Sequence, residues 1–324
     1  MKPKRFVMKL LFVFTVLSIF ISIVDSLLIR YNLLPFSNTS ELQGYWLGFL
    51  CRELTPFSST IEFIDVGGFS QYEISYRPRV YVPLLHPIKS MGQVAWSPNG
   101  RLVAFTLGSQ IQIYSFGDEV FPVTIDLAGD ISNIAWSPNS EALVFSIRLR
   151  DSMETNESFL YTYNLSTGTT NLLSNRHGAQ SPSWSPTNEW ISYTNDQSIY
   201  LIRPDGTEDH ELLIDIGNRV TTSWSPDGTE LAYNSSDSVD RNSLRIYNLI
   251  TQEIREIYFT DTINTVSWSP DGEWIAFSAS PTDIGPTNIF RIHVESQDLE
   301  QLTMLRGRCT PYYPSWSPDF SSED

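Results

Sequence analysis

Four histidines, two cysteines and a scatter of carboxylates are the residues of this 324-residue chain that could do chemistry. His86, His177, His210 and His293 form no H-x-x-H or H-E-x-x-H pair, so no zinc site is written into any one helix. His86 and His177 fall in connectors between strand-like runs and are the candidate metal ligands; exposed turn histidines are the plainer reading. The stretch SPDGEW around Asp271 lacks the residue that a sialidase Asp-box places between Asp and Gly. The acidic runs Asp151 to Glu157 and Ser235 to Asn242 lack the D-x-[DN]-x-[DN]-G order of a calcium loop, so they read as solvated loops. No G-x-S-x-G motif is present, which removes the nucleophile elbow of an α/β-hydrolase. No catalytic residue and no cofactor is therefore assigned. Cys51 and Cys309 make an even count that invites one disulfide in an oxidising compartment. Such a bridge would close a very long loop, for which chain-entropy arguments give a few kcal/mol.

Charge narrows the partners. Formal net charge is −16, and Lys2, Lys4, Arg5 and Lys9 crowd the N-terminus, leaving Lys89 as the only other lysine. Nucleic acid is excluded as a partner, because its binding depends on clustered Lys and Arg. The basic start is followed by the apolar run Leu10 to Val24, extended to Ile29 past Asp25 and Ser26. Residues 6–29 are about long enough to cross a bilayer, and no small-x-small cleavage site follows them. The reading is an uncleaved signal anchor over residues 1–30, with a cleaved signal peptide as the alternative. Either way the positive flank stays cytoplasmic and the remainder is exported.

The elements that must position any site are announced by a repeat. Trp96, Trp136, Trp184, Trp224, Trp268 and Trp316 are each followed by Ser-Pro, at spacings of 40, 48, 40, 44 and 48 residues. A period in the forties with short extended runs is the mark of a β-propeller with one four-stranded blade per repeat. Ser-Pro-Asp-Gly suits a tight turn, with Pro fixing φ and Gly taking the left-handed conformation. Gly100, Gly228 and Gly272 fill that place, with Asn188 as the best substitute and Ser140 as a weaker one. A large aromatic on the inner strand would fill the space between blades. The prediction is an all-β, six-bladed propeller of four-stranded antiparallel blades, preceded by the N-terminal membrane or signal helix; five or seven blades are the fallback. Five complete blades run from Gly92 to Thr303. The sixth is shared between a C-terminal strand at Trp316 and N-terminal strands drawn from Ser59 to Leu85, which would hide the sheet edges. The domain plan is then anchor 1–30, linker 31–58, propeller 59–320 and tail 321–324. A Cys51–Cys309 disulfide would staple the seam.

The motif W-S-P-[DN]-G-x-x-[IL]-A-[FY] resembles the propeller repeat of the TolB family, over about Ser59 to Pro318. The resemblance implies the propeller fold and a role in the cell envelope. The family's separate α/β domain has no room between Arg30 and Ser58, so the chain reads as TolB-like and not TolB itself. Some relatives of this type are metal-dependent lyases of acidic oligosaccharides, with histidine ligands at the channel mouth. The expectation is a monomeric, non-catalytic module on the outer side of the membrane that binds a protein or peptide partner. Its binding surface would be the face carrying the loops Arg148 to Ser158, Asn234 to Ser243 and Ser278 to Asn288, together with the channel mouth near His86 and His177. A metal-dependent lyase or hydrolase acting on a glycan is the alternative.

Overall fold

The computed structural model describes residues 45–53, 59–65, 71–76, 91–115, 123–149, 157–236, 242–280, 286–304 and 309–319. The N-terminal apolar segment, His86 and the stretch 77–90 lie outside them. Among the described residues there are six four-stranded sheets, every paired strand antiparallel to its neighbour. Three N-terminal strands, β1 (Trp46–Glu53), β2 (Ser59–Asp65) and β3 (Gln71–Tyr76), belong to the blade that closes the ring. Blade one is β4 (Met91–Trp96), β5 (Leu102–Leu107), β6 (Gln110–Ser115) and β7 (Val123–Asp126). Blade two is β8 (Gly129–Trp136), β9 (Ala142–Leu149), β10 (Ser158–Asn164) and β11 (Thr169–Ser174). Blade three is β12 (Gln180–Trp184), β13 (Ile191–Asn195), β14 (Ser198–Ile202) and β15 (His210–Leu213). Blade four is β16 (Thr222–Trp224), β17 (Glu230–Ser236), β18 (Asn242–Asn248) and β19 (Ile254–Thr260). Blade five is β20 (Thr262–Trp268), β21 (Trp274–Ser280), β22 (Asn288–His293) and β23 (Leu299–Gln301). The last strand, β24 (Cys309–Trp316), is the innermost strand of the closing blade.

The closing blade corrects the sequence reading in one respect. Its order is β24-β1-β2-β3, so the strand beside the C-terminal one is β1, inside the stretch 31–58 that was expected to be linker. Among the described residues the propeller starts at Trp46, ahead of the expected Ser59. The expected third borrowed strand, Arg79 to Leu85, lies outside the described residues, and β3 already fills the fourth place in the sheet. β1 gives little local strand signal because Trp46, Leu47, Phe49, Leu50 and Cys51 are all buried, which erases the polar-apolar alternation of a half-buried strand. Its register is tied at the first turn: the Ser317 N–H donates to Trp46 O at 2.7 Å, and the Trp46 N–H donates to Ser317 Oγ at 2.8 Å.

Four of the five repeated hairpin turns are built the same way. In blade four the Gly228 N–H closes the turn on Ser225 O at 2.9 Å. Ser225 is buried; its hydroxyl donates to Asp227 Oδ1 at 2.6 Å and accepts the Glu230 N–H at 2.9 Å. The Ser225 hydroxyl, then the Thr229 N–H, hold the Asp227 carboxyl below its usual pKa. The same serine pattern recurs at Ser97, Ser137 and Ser269. The left-handed position is Gly100, Gly228 or Gly272 as expected, and Asn188 and Ser140 adopt it too, at φ 60° and 61°. Ser140 has its own use there, since its hydroxyl accepts the Asn99 N–H of the preceding turn at 3.1 Å.

The six tryptophans fill the seams between blades. Trp136 packs with Ala104, Ile111 and Ile113 of blade one, Trp224 with Ile199 and Leu201 of blade three, and Trp268 with Leu244 and Ile246 of blade four. Trp316 packs with Ala276 and Ile289 of blade five, and Trp96 with Ile61 and Phe63 of the closing blade. Burying an indole of about 150–250 Å² is worth roughly 4 kcal/mol or more at about 25 cal/mol/Å². Trp136, Trp224 and Trp316 add a second tie. Their indole N–H groups donate to Ala95 O, Ser183 O and Ser267 O of the preceding inner strand at 3.0, 3.1 and 3.0 Å. Trp184 and Trp268 instead donate within their own turns, to Asn188 Oδ1 and Gly272 O.

Two outcomes follow from these seams. Trp224→Phe keeps a ring but loses the indole bond to Ser183 O, an interaction worth about 0.5–1.5 kcal/mol. It is expected to lower the thermal midpoint by several degrees more than Trp184→Phe, measured by calorimetry. Tyr114, stacked on Phe105 at 5.5 Å, has its hydroxyl pKa pushed up to about 12 by burial. Folding therefore holds that proton more tightly than the unfolded chain does. Its contribution is intact below about pH 10 and is lost as pH rises toward about 12. Tyr114→Phe is expected to flatten the fall of stability over that window, read by urea unfolding at stepped pH.

Candidate functional site

The antiparallel blades divide the loops between two faces. The Trp-Ser-Pro turns and the connections between third and fourth strands share one face, here the turn face. The connections between second and third strands, and those leading into each inner strand, share the opposite loop face. Of the expected binding loops, residues 150–156, 237–241 and 281–285 lie outside the described residues. The strands flanking them run further into the loops than expected. β17 continues to Ser236 and β21 to Ser280.

On the loop-face side the axial channel narrows at six equivalent positions, three residues before each tryptophan: Gln93, Asn133, Ser181, Thr221, Thr265 and Tyr313. A space of about 30 Å³ remains among them. Several of these side chains are spent on the neighbouring blade. Gln93 Oε1 accepts the Ile134 N–H at 2.8 Å, Thr221 Oγ1 accepts the Val266 N–H at 3.2 Å, and Thr265 Oγ1 accepts the Tyr313 N–H at 3.2 Å. Asn234 backs this ring from a buried position, its Oδ1 accepting the Thr221 N–H at 2.7 Å and its Nδ2 donating to Ile263 O.

His177 is exposed on the loop between β11 and β12, its ring 4.9 Å from that of Phe159. His86, its expected companion, lies outside the described residues. Among the described residues no group of three His, Cys, Asp or Glu side chains is arranged to hold a metal. His210 and His293 serve turns: His210 Nδ1 lies 2.7 Å from Glu208 O, and His293 Nδ1 accepts the Ser296 N–H at 3.1 Å.

The loop carrying His177 is pinned by a network that the sequence reading did not single out. Arg176 Nε donates to the Tyr193 hydroxyl at 3.0 Å, and that hydroxyl donates to Asp209 Oδ1. Ser174 Oγ donates to Asp209 Oδ2 at 3.0 Å, and the Arg176 guanidinium lies 4.3 Å from the Tyr200 ring centre. Burial, then the bond to Asp209, push the Tyr193 pKa upward. Arg176, in the loop between blades two and three, and Asp209, just before β15, are 33 residues apart, so only the fold brings them together.

The larger cavity is on the turn face. All six tryptophans and Pro98, Pro138, Pro186, Pro226, Pro270 and Pro318 line an axial space of about 420 Å³. The sequence reading took the repeated motif as scaffold alone. The signal that could have found the cavity is the identity of the six copies: turns that are alike and close in a ring must present the same side chains to the axis.

Geometry of this kind defines a six-bladed β-propeller, with its axial channel polar and narrow at one end and lined by Trp and Pro at the other. Comparisons with known proteins agree on the fold. A TolB homologue of Chlorobium luteolum is 40% identical over 58 residues, which are 17% of this chain and 13% of that protein's length. The crystal structure of TolB from Acinetobacter baumannii is 16% identical, with 85% of this chain and 83% of that chain covered at a TM-score of 0.55. An oligogalacturonate lyase structure in complex with manganese is 13% identical, with 79% and 76% covered at a TM-score of 0.54. A family profile described as eukaryotic translation initiation factor eIF2A matches residues 179–319, the run from blade three to the closing strand. At such identities the likeness to the solved structures is one of fold.

The pinning network yields a direct test. Asp209→Ala leaves the Tyr193 hydroxyl and Ser174 Oγ without their acceptor and removes the ion-pair partner of Arg176, and is expected to destabilise the protein by about 1–3 kcal/mol. Amide hydrogen exchange should rise selectively at residues 175–179, while blades four and five keep their protection.

Proposed function

We propose that the chain is an exported, monomeric propeller, carried on a membrane anchor at residues 6–29, whose loop face binds a protein or peptide partner in the cell envelope without catalysis. The observation that carries export is the disulfide state of Cys51, because such bonds persist in oxidising compartments. The chain has two cysteines, and the backbone register sets Cys309 opposite Glu53, two residues from Cys51, so Cys309 is the partner we assign. Support for an envelope interaction role comes from the TolB likeness of the fold. Among the described residues no helix is long and apolar enough to cross a membrane, and the proposed anchor lies outside them. Chain direction adds an orientation: β1 starts beside Ser317 at the turn-face end, so an anchor upstream of Tyr45 would put the turn face toward the membrane and the loop face outward.

Three measurements test this reading. Protein purified from native membranes should resist carbonate extraction, and peptide mapping without reductant should give a linked Cys51–Cys309 pair; two free thiols would remove the case for export. In-cell crosslinking from loop-face positions such as His177 should recover a defined partner, lost when residues 151–156 are replaced by a Gly-Ser linker. The second reading, a lyase, is favoured by the likeness to the manganese-bound oligogalacturonate lyase. It requires bound transition metal in the purified protein, lost in His86→Ala and His177→Ala, and release of unsaturated product from oligogalacturonate.

A further inference from the structure

The turn-face cavity has a chemistry of its own. Its walls are indole edges and its rim is proline, with Pro98, Pro186, Pro226 and Pro270 exposed to solvent. Ser183, Ser223, Ser267 and Ser315 supply small side chains that leave the axis open. Flat apolar surfaces of this kind receive the pyrrolidine rings of extended proline-containing peptides, whose stiff backbone loses little entropy on docking.

The turns that form the rim are acidic. Glu141, Glu189, Asp227, Asp271, Glu273 and Asp319 follow the rim prolines, against the single cation Arg101. Glu230, a little further along, is already paired with Arg255 at 3.3 Å. The field is felt locally at Tyr45, where burial, then Asp271, Asp319 and Glu273, push the phenol pKa upward. An apolar socket inside a negative rim attracts cations and repels nucleic acid, acidic peptides and anionic lipid.

We propose that the Trp- and Pro-lined socket on the turn face is a docking site for a cationic, proline-containing peptide segment of a partner protein. The inference concerns the face opposite the loop-face surface and stands without it. If residues 6–29 are an anchor, residues 30–44 could span up to about 50 Å when extended, which leaves room for such a segment beneath the propeller.

The experiment uses the full-length protein in non-ionic detergent and the probe acetyl-Lys-Pro-Leu-Pro-Lys-amide, with acetyl-Glu-Pro-Leu-Pro-Glu-amide as its counterpart. Six of the nine tryptophans line the socket, and neither peptide contains one, so intrinsic emission reports occupancy. The lysine peptide should give a saturable change with Kd at or below about 1 mM, weakening several-fold between about 0.05 and 0.3 M NaCl. Replacing the exposed Glu189 and Glu273 together by Gln should weaken it about threefold or more while leaving the thermal midpoint unchanged. Ser183→Phe, which fills the socket, should abolish the signal; if that variant does not fold, the glutamine pair decides. A probe carrying a photoreactive group in place of Leu should label residues of the Trp-Ser-Pro turns. Equal binding of the glutamate peptide, indifference to the glutamine pair, labelling confined to other surfaces, or no binding would each overturn the proposal. Equally fatal is a photoreactive residue at position 183 that crosslinks to residues 1–44 of its own chain and excludes the probe, because the socket would then be filled from within.

Discussion

Everything in this propeller depends on one contact repeated around the ring: a tryptophan from one inner strand inserted into the sheet before it. A single blade is one sheet whose own strands bury neither of its faces; each is covered by a neighbouring blade. The indole supplies the missing volume, and in three of the six seams its N–H also satisfies a carbonyl of the neighbouring inner strand. Serine hydroxyls reinforce other seams, as where Ser223 and Ser315 accept the N–H groups of Trp268 and Trp96. Each blade is thus completed by the next, and the chain reaches a closed state only when the last seam meets the first.

That dependence explains why the fold was legible and where legibility stopped. The Trp-Ser-Pro repeat encodes a local hairpin, so five blades could be placed from turn chemistry and strand periodicity alone. The left-handed positions at Asn188 and Ser140 followed from the same logic. β1 has no such local signature. Its hydrogen-bonded neighbour β24 lies at the other end of the chain, no Ser-Pro-Asp-Gly turn joins them, and its buried run around Phe49 and Leu50 carries no alternation. A strand defined by a distant partner reads as linker when only the neighbours in sequence are consulted.

The sites divide in the same way. His177 could be named from its position between strands, and it is exposed on the loop face. Its support by Arg176, Tyr193 and Asp209 could not, because that network joins the loop between blades two and three to β13 and to the residue before β15 through burial and charge. The turn-face socket lay in full view as six Trp-Ser-Pro motifs. Spacing showed that they recur, but only closure of the ring brings their prolines and indoles to one axis.

The clasp at β1 also has a mechanical meaning. β1 runs from the turn face toward the loop face and is bonded along its length to β24 on one side and β2 on the other. A pull on the N-terminal segment, directed away from the turn face, acts along that strand and perpendicular to its ladder bonds. The two ladders are then loaded in shear, sharing the tension over many bonds at once, instead of being peeled one rung after another. A chain held by its N-terminus is therefore gripped at the place where its ring is locked.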